Sequence, residues 1–258
     1  MISNKMNQIA ETVIPTWAKK IGRPVYTPLF QKLEWKRLEK LYKTFVKSGD
    51  LVFDIGGHQG NMTATLAKIG ARVICVEPRP SGVKHLKERF KKEHEVTVIQ
   101  KGVGEKKGVL PLYVHDKDTS TSSFAKKWRT EQYDDGKWNE KIDIPITTLD
   151  ELIKEFGKPT FCKIDVEGFE VEVLTGLNSK IPLISFEFHG NCKDAIQKCV
   201  QKLEKIDEVK FNFSLYGNHQ LELKEWINKE ELMKIISKIS NSNQNLCGDI
   251  YAKFKVEK

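Results

Sequence analysis

From residue 51 onward the chain alternates short apolar runs with stretches whose apolar positions recur every three or four residues. That is the pattern of strands and amphipathic helices taken in turn. Apolar runs predict strands at 51–55, 72–77 and 95–100, and helical spacing predicts helices at 60–69 and 81–92 between them. The rhythm resumes with a helix from Thr147 and Thr148 to Phe156, stopped by Gly157, then a strand at 161–165 and a helix at 169–174. A strand at 182–188, a helix at 193–206, a strand at 209–216, a helix at 229–239 and a strand at 246–254 complete it. Such alternation predicts a mostly parallel sheet with right-handed crossovers and helices on both faces.

Two stretches depart from this rhythm. Upstream, Phe30, Leu33, Leu38, Leu41, Tyr42 and Phe45 recur at helical spacing and predict a helix within 27–46, ended by Ser48-Gly49-Asp50 and packed on the sheet. Residues 1–25 are polar with few apolar positions and break at Gly22-Arg23-Pro24. The chain thus divides into an N-terminal helical extension, 1–48, and one α/β domain, 49–258. In mid-chain, 109–114 reads as an extra strand, and 115–141 is a polar stretch containing Thr119-Ser120-Thr121-Ser122-Ser123. A loop of that length in a compact domain is usually functional, and a lid or substrate loop is expected there.

The candidate chemistry begins where the first strand ends. Asp54 is followed by Gly56, Gly57, His58, Gly60 and Asn61, and then by a helix. Strand, tight turn and helix form the unit that holds nucleotide-like ligands at the edge of a parallel sheet. A dinucleotide fits poorly. The G-x-G-x-x-G fingerprint counted from Gly56 would need glycines at His58 and Asn61, and the Asp54 carboxylate would repel a pyrophosphate. S-adenosylmethionine (SAM) fits better, because Asp54 can face its cationic end while the Gly56–Gly60 backbone takes its carboxylate. The second strand ends in Glu77, followed by Pro78, and an acid there can accept hydrogen bonds from both ribose hydroxyls.

A second constellation follows. The run Phe161-Cys162-Lys163-Ile164-Asp165-Val166-Glu167-Gly168 carries two carboxylates to the same sheet edge, with Gly168 allowing a sharp turn. In the next strand, Glu187 and His189 alternate and so point the same way. Asp165, Glu167, Glu187 and His189 are the candidates for removing an acceptor proton, and His189 has the best-matched ordinary pKa. No metal is required. The alternative is a magnesium or manganese ion held by Asp165, Glu167 and His189.

These motifs, in order over 51–189, resemble the FkbM family of SAM-dependent methyltransferases. The resemblance rests on V-F-D-I-G-G-H-Q-G-N-M-T at 52–63, V-E-P at 76–78, I-T-T-L-D at 146–150, K-I-D-V-E-G-F-E-V-E-V-L-T-G-L at 163–177 and I-S-F-E-F-H at 184–189. Residues 1–50 and 190–258 add little to it. The resemblance implies a class I methyltransferase (Rossmann-like) fold, a mostly parallel seven-stranded sheet with helices on both faces, and SAM as cofactor. It implies methylation of a hydroxyl, often on a sugar or polyketide. Cofactor contacts are then expected from Asp54, Gly56, Gly57, His58, Gly60, Asn61, Glu77, Pro78, Gly102 and Asp165.

Composition narrows the partners. The net charge of +8 suits an anionic or sugar-nucleotide-linked small-molecule acceptor, although the lysines are interleaved with glutamates as on ordinary solvated helix faces. A nucleic-acid methyltransferase is the main rival. It is disfavoured because the fourth strand ends Asp165-Val166-Glu167-Gly168 rather than in an N/D-P-P-aromatic turn, and its two carboxylates would repel phosphates. A non-catalytic interaction protein on the same fold is the third reading, and the intact Asp54, Gly56, Gly60 and Glu77 set argues against it. No apolar run approaches the ~20 residues that span a bilayer, and the N-terminus lacks an apolar signal core. Five cysteines, with no C-x-x-C pair, read as reduced thiols of a cytoplasmic protein with no zinc site. The oligomeric state and the acceptor's identity stay open.

Overall fold

The computed structural model describes residues 28–115, 122–126, 128, 138, 140–216, 218–242 and 246–255. The elements begin α1 (Pro28–Tyr42), β1 (Leu51–Ile55), α2 (Asn61–Ile69), β2 (Arg72–Val76), α3 (Pro80–Arg89), β3 (Val96–Ile99), β4 (Gly102–Val103) and β5 (Gly108–Val114). They continue β6 (Glu140–Thr147), α4 (Leu149–Phe156), β7 (Phe161–Ile164), α5 (Glu170–Thr175), β8 (Leu183–His189), α6 (Lys193–Glu204), β9 (Val209–Leu215), α7 (Lys229–Ser242) and β10 (Cys247–Phe254).

Seven strands form the central sheet in the order β3-β2-β1-β7-β8-β10-β9. All its pairs are parallel except those of β10, which runs antiparallel to both β8 and β9. The architecture is the class I methyltransferase fold that the sequence implied. Strands covered on both faces should read as continuous apolar runs, and β7 and the last four residues of β1 and β2 are buried throughout.

One face of the sheet packs on α4, α5, α6 and α7 through Leu152, Val173, Val200 and Ile236. The other face carries Leu38, Leu41 and Tyr42 of α1 and Leu66 of α2. Tyr42 lies 5.5 Å, ring to ring, from Phe161 of β7, so α1 packs on the sheet as its apolar spacing predicted. Residues 1–27 of the predicted extension, and much of the expected loop at 115–141, lie outside the described residues. None of the five cysteines, all of them among the described residues, forms a disulfide. Among the described residues, no helix is long and apolar enough to cross a membrane.

The strand at 109–114 does not join the main sheet. It forms β5 of a second, three-stranded sheet with order β4-β6-β5. Strands β4 and β6 had no counterpart in the sequence reading. In β6, Ile142, Ile144 and Ile146 do alternate, with the last two buried, but Lys141, Asp143 and Pro145 between them mask the run. The chain order reverses between β1 and β7, so the loops leaving their C-terminal ends diverge there and open a crevice.

Candidate active site

The first loop is shaped by close approaches. Gly56 and Gly57 both donate to the Val76 carbonyl, at 2.9 and 3.1 Å, tying the turn to β2. Gly56 has φ 94°, and a Cβ there would stand 1.7 Å from the Asp165 carbonyl oxygen. Only glycine therefore lets the β1 and β7 exits come together. His58 shares the left-handed region with φ 46°. Its N–H donates to Glu77 Oε2 at 2.8 Å, while Glu77 Oε1 accepts from Arg79 N at 3.1 Å and Arg79 Nε at 3.2 Å. The Glu77 carboxylate is thus pinned between the loop and a buried arginine. It keeps acceptor capacity, since an ionised carboxylate has about four lone-pair sites.

A cavity opens above these strand ends, with about 710 Å³ of empty space, part of it open to solvent. Of the residues expected at a cofactor, Gly56, His58, Glu77, Pro78, Gly102 and Asp165 line it. Val76, Val103, Leu112 and Phe124 give it apolar walls, and Arg79 and Lys101 also line it.

Asp54, Gly57, Gly60 and Asn61 stand behind that lining. Gly60 has φ 79°, and a Cβ there would strike Leu86 and Phe90, so this glycine seats α2 against α3. Asn61 Oδ1 accepts from Arg89 at 2.8 Å. Asp54 is 1% exposed and accepts from Thr63 Oγ1 at 2.5 Å. Burial pushes its pKa up to about 6, against the Thr63 hydrogen bond and the Lys163 charge. The sequence reading placed this carboxylate against the ligand's cationic end. Its side chain instead turns inward, because the β1 exit buries it beneath α2.

The second constellation gathers on the other side of the crevice. Lys163 is 1% exposed in the middle of β7, and its ammonium reaches Asp165 Oδ2 at 3.1 Å and Asp249 Oδ1 at 2.9 Å. Burial works against that charge, but Asp165 and Asp249 outweigh it and raise the Lys163 pKa well above the usual lysine range. Glu167 sits at φ 53° and Gly168 at φ 87°. Ser123 Oγ donates to the Glu167 carbonyl at 2.6 Å. On β8, His189 Nε2 lies 3.3 Å from Glu187 Oε2. Burial would lower the His189 pKa, but Glu187 beside it, with Glu170 and Asp165 beyond, raises it above the ordinary histidine value. Burial, then the Asp165 charge, raise the Glu187 carboxyl despite the histidine.

A second cavity, with about 840 Å³ of empty space including open solvent, lies on this side. Trp128, Gly168, Glu170, Glu187 and His189 are among its lining. The Trp128 ring meets His189 edge to face at 4.7 Å. Side-chain oxygens of Asp165, Glu167 and Glu187 all lie within 4.8 Å of one another, so the carboxylates meet between the two cavities. Hard-oxygen spacing of this kind could bridge a divalent cation. The trio differs from the Asp165, Glu167 and His189 set weighed from sequence, because His189 turns toward Glu187.

Lys163, Glu170, Asp249 and Trp128 were not singled out from sequence. Lys163 carried a signal, since a lysine inside an apolar central strand must find anionic partners. Trp128 carried none, being one aromatic in a polar stretch.

Several solved structures align with most of the chain. Precorrin-6y C5,15-methyltransferase from Geobacter metallireducens is 13% identical, with 92% of this chain and 94% of that one covered, at a TM-score of 0.47. An rRNA methylase from Streptococcus thermophilus is 12% identical, with 90% and 100% covered, at 0.45. Fibrillarin from Aeropyrum pernix, with bound S-adenosyl-L-methionine, is 11% identical, with 86% and 74% covered, at 0.44. Likeness at this level concerns the fold alone. No curated protein matches the sequence. The family model for the methyltransferase FkbM domain, however, matches residues 54–223, well over half of the chain, and the chain belongs to the FkbM family of SAM-dependent methyltransferases.

Proposed function

We propose that the protein methylates a hydroxyl of a carbohydrate or related small molecule, with His189 as the general base. The observation that carries this reading is the His189–Glu187 pair, 3.3 Å apart, in a cavity that adjoins the Asp165 end of the first one.

The first cavity fits SAM. Glu77 offers its remaining acceptor site to a ribose hydroxyl, and Val76, Val103 and Phe124 offer apolar surface to an adenine. The Gly56–Gly60 loop holds the methionine end, and buried Asp54 supplies negative potential from behind it. SAM supplies a methyl group on a sulfonium, which leaves as a neutral thioether. The chain's own task is therefore to align an acceptor oxygen and take its proton. Glu187 holds the His189 ring toward the acceptor and stabilises the imidazolium that results. Asp165, already paired with Lys163, orients the acceptor with Glu167. Ser122 and Phe124 wall the first cavity and Trp128 the second, which supports assigning a substrate loop to this stretch. Carboxylates crowded between the cavities oppose a phosphate backbone, which favours a small polyol over RNA. An anionic handle on the acceptor would have to lie outward, toward the lysine-rich surface.

Transfer from tritiated SAM, screened across sugar nucleotides, glycans, lipids and RNA, tests this reading. Label in a carbohydrate fraction, on oxygen, is expected. Label on RNA, or on nitrogen or carbon, would overturn it.

A further inference from the structure

We propose that Glu170 is a positioning residue for methyl transfer. It ties down the backbone turn that carries Asp165 and Glu167, and so links the shape of the acceptor cavity to that of the donor cavity.

Glu170 is the first residue of α5 and is 8% exposed. Besides its own backbone N–H, its carboxylate serves the turn that precedes the helix. Oε1 reaches back and accepts from the N–H groups of Val166 at 3.2 Å and Gly168 at 3.3 Å. Between those donors lies Glu167, in the left-handed region at φ 53°, followed by Gly168 at φ 87°. A non-glycine residue is strained there and persists only where its surroundings hold it. Two amides converging on one anion supply that hold. From the opposite side, Ser123 Oγ fixes the Glu167 carbonyl at 2.6 Å. The turn is thus clamped between a carboxylate below and a hydroxyl above.

The location gives the clamp its consequence. Asp165, Val166 and Glu167 line the first cavity, whereas Glu170 and Gly168 line the second. One buried side chain therefore touches the acceptor space and holds the wall of the donor space. The Gly56 Cβ position, 1.7 Å from the Asp165 carbonyl oxygen, leaves no slack. Any movement of the turn is passed to the first loop. The groups facing Glu170 are Asp165 from the β7 exit, Glu187 and His189 from β8, and Cys199 from α6. Burial and the Glu187 and Asp165 charges push the Glu170 carboxyl up to about 7, and the backbone amides it accepts from oppose that rise.

The proposal rests on the first cavity being the SAM site, and not on the acceptor or on His189 as base. Its test uses S-adenosylhomocysteine, which needs no acceptor, and calorimetry on the full chain. Glu170→Gln keeps an acceptor oxygen and should bind within about threefold of the wild type, whereas Glu170→Leu should bind at least about tenfold more weakly. Equal affinity in Glu170→Leu and wild type, or no advantage of Gln over Leu, would overturn the proposal. Where the leucine variant fails to fold, the amide protons of Val166 and Gly168 decide. Drawn downfield by the carboxylate, both should move upfield together in Glu170→Gln, and an unmoved pair would overturn the clamp. If the wild type itself does not bind S-adenosylhomocysteine, the site assignment has failed rather than the clamp.

Discussion

The two cavities are built on opposite principles. The carboxylate that faces the proposed donor space, Glu77, is held by the His58 N–H and by Arg79, while Asp54, raised to about 6 by burial, lies behind the loop. The acceptor side crowds Asp165, Glu167, Glu170 and Glu187 around one buried lysine and one histidine. There, carboxylates are pushed toward neutrality and the histidine toward its charged form. A site that only binds can satisfy its charges permanently. A site that must move a proton keeps groups whose charge is close to balance.

The comparison is broken most sharply at the base. His189→Ala should leave SAM binding intact and lower turnover by roughly 10²–10⁴-fold. Turnover near wild type would move the base to Asp165. On the donor side, Glu77→Ala should act on the opposite quantity. Charged hydrogen bonds are worth about 1.5–3 kcal/mol each, so SAM affinity should fall more than about tenfold by calorimetry. An unchanged affinity would remove the ribose assignment.

The smallest effect is a pH dependence of stability. Burial raises Asp54 to about 6 and Glu170 to about 7. Each folded-state pKa lies above its unfolded value, so the fold binds these protons more tightly than the unfolded chain does. That contribution is fully present below about pH 4 and is lost as pH rises through about 6 for Asp54 and 7 for Glu170. Thermal melts from pH 5 to 8 should show stability declining across that window, by up to about 3 kcal/mol from Glu170. The decline should be shallower in Glu170→Gln. Parallel profiles for the two proteins would mean that this buried carboxyl is not the group titrating.

The same division decides what could be read from the sequence. The donor side is made of contiguous segments. Asp54, Gly56, Gly60 and Glu77 sit at fixed spacings along two strand-loop-helix units, and a strand's apolar run marks where each loop begins. Even there, the inward turn of Asp54 under Thr63 was invisible, because it depends on how α2 lies over β1. The acceptor side is assembled from distant parts of the chain. Lys163 finds Asp249 across the sheet, and Trp128 meets His189 from a stretch of sequence with no apolar periodicity. Glu170 lay within a recognised motif, yet its backward reach follows from the left-handed turn at Glu167. The small second sheet escaped for a related reason, since β6 interleaves its isoleucines with lysine, aspartate and proline.

A crystal structure with S-adenosylhomocysteine bound tests the account most directly. The expected result has a ribose hydroxyl on Glu77, the adenine between Val103 and Phe124, and the sulfur turned toward the Asp165, Glu167 and Glu187 cluster with His189 beyond it. A ligand seated in the second cavity, or with its sulfur turned away from that cluster, would contradict it.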